Sequence, residues 1–260
     1  MINGLISNNN IVSLDLSSNQ ILEKGSNDLF DSLTNHPSLT AIDLSNSVPN
    51  SKNIIGNRGC YKLRNFLQQN KIFTILNIAE NEIGKEGLDL IVEGLQCNTS
   101  LISLDISKNN LPTNTIFCLS KIKIETAVIN CSQLNELILK SNNLVDKSIF
   151  DLYELIINKE CKLERINLSC NKISSVGANK LFYGLIKNAE IKNVDISENY
   201  IEGAFDSQFE EFCKTNKTLS SLNLSKCGLS SESIQVIANS ISLNCSIISL
   251  NLSFNYIDVK

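Results

Sequence analysis

Apolar residues along this chain keep two alternating rhythms. In Ile11-Val12-Ser13-Leu14-Asp15-Leu16 and Leu219-Ser220-Ser221-Leu222-Asn223-Leu224 they recur at every second position near the end of the stretch, the period of a strand with one buried face. Leu14 and Leu16, or Leu222 and Leu224, turn inward there, while Asp15, Ser17, Asn223 and Ser225 face out. Further along, as in Ile83-x3-Gly87-x3-Ile91-x3-Leu95 and Ile173-x3-Gly177-x3-Leu181-x3-Leu185, apolar or small residues return at every fourth position. That spacing predicts a helix with one stripe turned to the interior.

The two rhythms recur as a unit. The pattern L-x-x-L-x-L-x-x-N-x-L starts at Ile11 and again at Leu39, Phe73, Leu101, Leu134, Leu163, Ile191, Leu219 and Ile247, at steps of 28, 34, 28, 33, 29, 28, 28 and 28 residues. With a partial repeat over residues 1–10, these copies predict a single repeat domain of nine units over residues 1–260. Strand then helix, repeated, predicts an α/β solenoid. A helix is about 10 Å wide and strands sit about 4.8 Å apart, so the stack is expected to bend into a horseshoe, with parallel strands on the concave face and helices on the convex one. A lone unit of this size cannot bury enough apolar surface, so neighbours must share an interior.

The ninth position of the motif holds Asn19, Asn81, Asn109, Asn142, Asn171, Asn199 and Asn255. Where the chain leaves the strand, inward-facing backbone groups need partners, and a carboxamide offers both donors and an acceptor. A structural ladder is expected from these residues. Ser47 and Cys227 fill the same slot in repeats two and eight, and Ser47, next to an insertion, predicts a locally altered bend. A second set, Asn8, Asn70, Asn98, Asn158, Asn188, Asn216 and Asn244, follows the last helical apolar residue by three, where helix ends favour such residues.

At these residues the chain resembles leucine-rich repeat proteins, specifically the ribonuclease-inhibitor-like subfamily with units of about 28 residues. The resemblance covers the whole chain and is specific for fold, less so for function. It implies a non-enzymatic protein-protein interaction module that binds a protein partner on its concave face and loops, as part of a larger protein or assembly. Two alternatives stay open: an architectural spacer that stacks in a multiprotein assembly, and a regulator of a small GTPase similar to the Ran GTPase-activating protein. Against close likeness to ribonuclease inhibitor, the chain has no Trp and lacks alternating repeat types. Against the GTPase reading, Arg occurs only at positions 58, 64 and 165, and no activator motif matches residue by residue.

Composition narrows the picture further. Hydrophobic residues make up 42% and charged ones 19% of 260 residues, a balance suited to a folded chain. A net charge of −4 without a basic stripe argues against nucleic acid as a partner. No signal-peptide layout and no membrane-length apolar run is present, so no membrane partner is expected and the location reads as cytoplasmic. Nine Cys without a CxxC pair fit reduced thiols in that compartment. Abundant Asn, Lys and Ile fit an AT-rich genome, a protist's or an intracellular bacterium's. The alternative location is therefore the cytosol of a host cell, reached as a delivered effector.

The search for chemistry returns no catalytic, metal or cofactor residues. The single His, His36, sits in the slot of a helix-end Asn and reads as a loop residue, so a Ser or Cys nucleophile has no imidazole to draw on. No zinc spacing or phosphate loop occurs, and Gly56-Asn57-Arg58-Gly59 reads as a turn inside the repeat-two insertion. Asp15, Asp43, Asp105 and Asp195 share their strand position with Asn77, Asn167, Asn223 and Asn251, which reads as a solvated ladder.

Most outward strand positions are small, and binding energy concentrates in larger anchors. Repeats five to seven depart from this with Glu136, Ile138, Lys140, Glu164, Arg165, Lys192 and Glu198, and the fourth repeat adds chain around Lys121 to Asn130. These residues are the candidate protein-binding site. Tyr200, Phe254 and Tyr256 form a second candidate at the loop edge, with the alternative that Phe254 and Tyr256 serve the packing of a following repeat. Neither terminus carries a polar cap, and three readings stay open: a segment of a longer repeat protein, which is preferred; ends covered by a partner or by end-to-end self-association; and a short protein with frayed ends.

Overall fold

The computed structural model describes residues 4, 8–48, 50–109, 111, 133–202, 205 and 207–257. The insertion around Lys121 to Asn130 lies outside them. The chain divides into two compact units, Met1–Ile138 and Leu139–Lys260.

In the first unit five strands, β1 (Ser13–Asp15), β2 (Ala41–Asp43), β3 (Ile75–Asn77), β4 (Ser103–Asp105) and β5 (Glu136–Ile138), pair in parallel and in chain order. The register sets Leu14, Ile42, Leu76, Leu104 and Leu137 side by side. The last four are buried and Leu14, on the edge strand, is half-buried. Each strand begins two residues after the first apolar position of its repeat, so alternation sends one residue of three inward and its neighbours out. Helices α1 (Glu23–Leu33), α2 (Gly56–Gln69) and α3 (Lys85–Leu95) pack in sequence against one another. Between strands and helices Phe30 and Phe66 meet tilted, and Phe66 and Phe73 edge-on, with ring centroids 5.5 and 4.9 Å apart.

The second unit repeats the plan. Strands β6 (Arg165–Asn167), β7 (Asn193–Asp195), β8 (Ser221–Asn223) and β9 (Ser249–Asn251) pair in parallel, aligning Ile166, Val194, Leu222 and Leu250. Helices α4 (Asp146–Ile156), α5 (Ser175–Lys187), α6 (Ser207–Thr215) and α7 (Ser231–Ile241) follow the same neighbour-to-neighbour order. Phe182 is central to this core, 4.7 Å from Phe209 and 5.1 Å from Phe212. Each unit is a leucine-rich-repeat-type α/β solenoid, parallel strands on one face and helices on the other.

One local reading is corrected. Gly56-Asn57-Arg58-Gly59 is the first turn of α2 rather than a turn in an insertion. Gly56 has φ +57°, and its N–H is held by the Asn81 carbonyl at 3.0 Å, which aims the next residues into the helix.

Consecutive helices are stitched at their N-termini. Asp146 of α4 accepts the Ser174 N–H at 2.7 Å, the Ser174 hydroxyl at 2.6 Å and the Gly177 N–H at 3.2 Å, so a carboxylate from one repeat caps the next helix. The same role falls to Asn57 of α2, which accepts the Gly84 and Gly87 N–H groups at 2.8 and 3.0 Å. At Gly177 a Cβ would meet Asp146 Oδ1 at 2.5 Å, so this approach needs the glycine.

Candidate functional site

The turns after most strands are built on ladder asparagines, of which Asn81, Asn109, Asn142, Asn171 and Asn199 are buried. Asn109 Oδ1 accepts the N–H of Asn81 at 2.9 Å and of Ile83 at 3.1 Å, and its amide donates to the carbonyls of Ile78 and Ser107. Asn171 and Asn255 do the same in the second unit, receiving the N–H groups of Asn142 and Leu144, and of Cys227 and Leu229. Asn199 takes the Ile173 N–H and donates to three carbonyls. Cys227 substitutes with its thiol, which donates to the Ile196 carbonyl at 3.4 Å; burial pushes that thiol up to about 11.

Repeat two differs. Ser47 holds the consensus slot but is exposed, and the bonding role passes to Asn53, fully buried six residues on. Asn53 Oδ1 takes the N–H of Asn19 and Ile21, and its amide donates to the carbonyls of Leu16 and Leu44. Asn46 holds Asn53 from both sides, accepting its N–H at 2.7 Å and donating to its carbonyl at 2.8 Å. The helix-end asparagines make a second set of cross-links: Asn98 and Asn188 each donate to a carbonyl of the previous repeat and accept two N–H groups of their own loop. His36 takes the acceptor half of that job with Nδ1, bound by the Leu39 N–H at 3.1 Å.

On the strand faces, aspartate and asparagine interchange because each needs only its Oδ1. Asp15, Asp43, Asp105 and Asp195 accept the N–H two residues on, and so do Asn77, Asn167, Asn223 and Asn251, an Asx turn that starts each bend. Asp105 is half-buried rather than fully solvated; burial, with Asp43 and Glu136 nearby, holds its carboxyl above the ordinary value. Asp15 is shifted down by the N–H and hydroxyl of Ser17.

Of the candidate binding residues, Glu136 and Ile138 lie on β5 in the first unit, both half-buried, with Glu136 accepting the Ser103 hydroxyl at 2.7 Å. The other five belong to the second unit. Arg165 is exposed on β6, Lys192 and Glu164 pair at 2.9 Å, Lys140 is half-buried, and Glu198 lies 3.6 Å from Lys226.

A more concentrated feature stands at the loop edge of the second unit. In every repeat but the second, the residue before the ladder position adopts a left-handed backbone without being glycine: Ser18, Glu80, Lys108, Ser141, Cys170, Glu198, Lys226 and Phe254, with φ between 53° and 58°. Within each unit these turns bring charged and aromatic side chains of neighbouring repeats together. In the first unit Glu80 binds Lys52 and Lys108 at 2.7 and 3.0 Å, and the two ammonium groups hold its carboxyl below the usual value. In the second unit the Lys226 ammonium lies 5.6 Å from the centroid of the Phe254 ring. One step beyond the ladder stand Tyr200 and Tyr256, 64% and 77% exposed, with Phe254 at 79%. Tyr200, Tyr256, Glu198, Glu202, Lys226 and Gly228 line a cleft of about 270 Å³.

The helix face of the second unit carries a feature absent from the sequence reading. Tyr153 and Tyr183 stack at 5.6 Å, and the Lys180 ammonium sits 3.5 Å from the Tyr153 centroid. Lys187 donates to the Tyr153 hydroxyl at 3.1 Å. These lysines are engaged by the rings beneath them.

Among the described residues no helix is long and apolar enough to cross a membrane, and the seven described cysteines are free thiols.

Comparison with known proteins agrees with this geometry. A leucine-rich repeat family model matches residues 7–25, 69–92, 159–182 and 215–238. Human NACHT, LRR and PYD domains-containing protein 14 is 28% identical over 201 residues, 76% of this chain and 18% of that protein. Mouse ribonuclease inhibitor is 25% identical over 200 residues, 75% of this chain and 42% of that one. The chain thus spans under half the length of these relatives. Two solved structures share the fold: a chain of the yeast Rad7 and Elc1 complex, at TM-score 0.52 and 16% identity over 96% of this chain and 66% of that one, and a chain of the TLR13-ssRNA13 complex, at 0.52 and 17% over 98% and 34%. The chain carries leucine-rich repeats over those stretches, and its units are similar to those of the ribonuclease inhibitor relatives, a scaffold suited to protein-protein interaction.

Proposed function

We propose that this chain is a non-enzymatic recognition module that holds a protein partner through its strand faces and loop edge, as part of a larger protein or assembly. The observation that carries this reading is the set of exposed rings, Tyr200, Phe254 and Tyr256, on turns held by the amides of Asn199, which is buried, and Asn255, which is half-buried. Exposed aromatic side chains on a rigid support are what interface hot spots are made of. The name of the ribonuclease inhibitor relative points to a protein as its target, and the matched region is about a fifth of the NACHT relative. Within the second unit Lys140, Glu164, Arg165, Lys192 and Glu198 would add charged contacts on and beside the strands, and Glu136 and Ile138 stay candidates on the first unit.

The test is capture of a partner from the source cell by the wild-type chain, by a Tyr200→Ala/Tyr256→Ala variant and by a Glu136→Ala/Lys140→Ala/Arg165→Ala variant. Melting temperatures check the fold of each. Loss of one defined partner in at least one folded variant is the expected result; equal capture by all three chains would overturn the reading.

A further inference from the structure

Three consecutive repeats of the second unit carry Tyr200, Gly228 and Tyr256 at one equivalent position, directly after the ladder residues Asn199, Cys227 and Asn255. Neighbouring strands lie about 4.8 Å apart, so the two tyrosines leave the backbone about 10 Å from each other with a residue that has no side chain between them. Gly228 cannot be filled. Its φ is +69°, and a Cβ there would meet Glu202 Cγ at 2.8 Å. The Glu202 chain therefore runs past the glycine, and its carboxylate lines the same cleft as both tyrosines.

Width and charge then select the occupant. A planar group held between two rings needs about 7–8 Å between the ring planes, which this spacing allows. Two carboxylates, Glu198 and Glu202, line the cleft against one ammonium, that of Lys226. Lys226 is already engaged with Glu198 at 3.6 Å and with the Phe254 ring, and Glu202 has no ion-pair partner among the described residues. The chain's own lysine, resting on a ring and beside a carboxylate, shows what this edge attracts. A flat cation that stacks on phenol faces while donating to a carboxylate is a guanidinium.

We propose that the cleft between Tyr200 and Tyr256 is a socket for an arginine side chain of the protein partner, stacked between the two rings and paired with Glu202. This rests on the recognition reading above and names the chemistry of one anchor.

The experiment titrates the full chain with acetyl-Gly-Arg-Gly-amide and with its Lys, Glu and Phe counterparts, following the Gly228 amide and the tyrosine ring signals by NMR. The Arg peptide should shift these signals saturably, at least about threefold more tightly than the Lys peptide, and the Glu peptide should leave them in place. Tyr200→Ala and Glu202→Gln should each weaken the Arg peptide about threefold or more, whereas Tyr256→Phe, which keeps the ring face, should not. Absence of saturable shifts, binding of the Glu or Phe peptide as tight as that of the Arg peptide, or indifference to Tyr200→Ala and Glu202→Gln would each overturn the proposal. If the partner is still lost from Tyr200→Ala/Tyr256→Ala while the Arg peptide fails, the socket falls and the recognition reading stands. If partner capture ignores every variant, the recognition reading falls.

Discussion

Asn53 Oδ1 accepts the backbone N–H of Asn19 at 3.0 Å across 34 residues of chain. The bond belongs to the ladder, yet Asn53 stands outside the motif. Removing it strips partners from the N–H groups of Asn19 and Ile21 and from the carbonyls of Leu16 and Leu44. Unmade buried hydrogen bonds cost about 1–3 kcal/mol each. Asn53→Ala is therefore expected to lose at least about 2 kcal/mol in urea melts, and Ser47→Ala, at an exposed hydroxyl, less than about 0.5.

Strand phase sets a second contrast. Leu222 is 1% exposed, while Ser221 beside it lies on the outer strand face. Leu222→Ala should cost about 2–5 kcal/mol through the cavity it leaves, with Ser221→Ala nearly silent. Equal losses in denaturant melts would contradict the orientation of β8.

The fold was readable where periodicity carries it. Leu104 and Leu222 sit on a period of two and Ile91 and Leu181 on a period near four, and all four are buried. What escaped depends on stacking. Asn53 was hidden because Ser47 fills the expected slot and the step to the next repeat is 34 residues. The caps from Asn57 and Asp146 reach groups 27 to 31 residues away, neighbours only once the repeats are in register. Tyr200 and Tyr256 could be named as exposed rings from the sequence, but the role of Gly228 emerges only when three repeats are laid in one column.

Helix stitching predicts a coupled pair. Gly177→Ala would press a methyl group against Asp146 Oδ1 and Ile173 Cγ2 at 2.5 and 2.8 Å, outweighing the gain in helix propensity of up to about 1 kcal/mol. The variant should be destabilised. Asp146→Ala should lose the cap, and the double variant should be more stable than the sum of the two losses implies, since the clash with Asp146 Oδ1 goes when the carboxylate does. A four-member set of melts measures this; strict additivity would rule out the contact.

Asp105 gives a pH dependence of fixed sign. Its carboxyl is held above the ordinary value, chiefly by burial, so the folded state favours the neutral acid. The stability it contributes is fully present below the unfolded value, about pH 4, and is lost as the pH rises through the raised folded value. Asn keeps the acceptor for the Ser107 N–H, bound at 2.9 Å, and cannot ionise. Asp105→Asn is therefore expected to melt higher than wild type near neutral pH, with the advantage shrinking as the pH falls through the raised folded value and gone below about 4. A variant that is less stable at neutral pH would show that burial does not lead.

The left-handed row at the strand ends ties durability to variety. Each of Ser18, Glu80, Lys108, Ser141, Cys170, Glu198, Lys226 and Phe254 keeps a backbone shape that glycine adopts freely and that costs an L-residue about 1 kcal/mol. Eight glycines would make a hardier protein with a blank rim, whereas this chain spends heat tolerance on a written one. Within each unit, a substitution at one of these turns changes an outward side chain and leaves the bend as it stands.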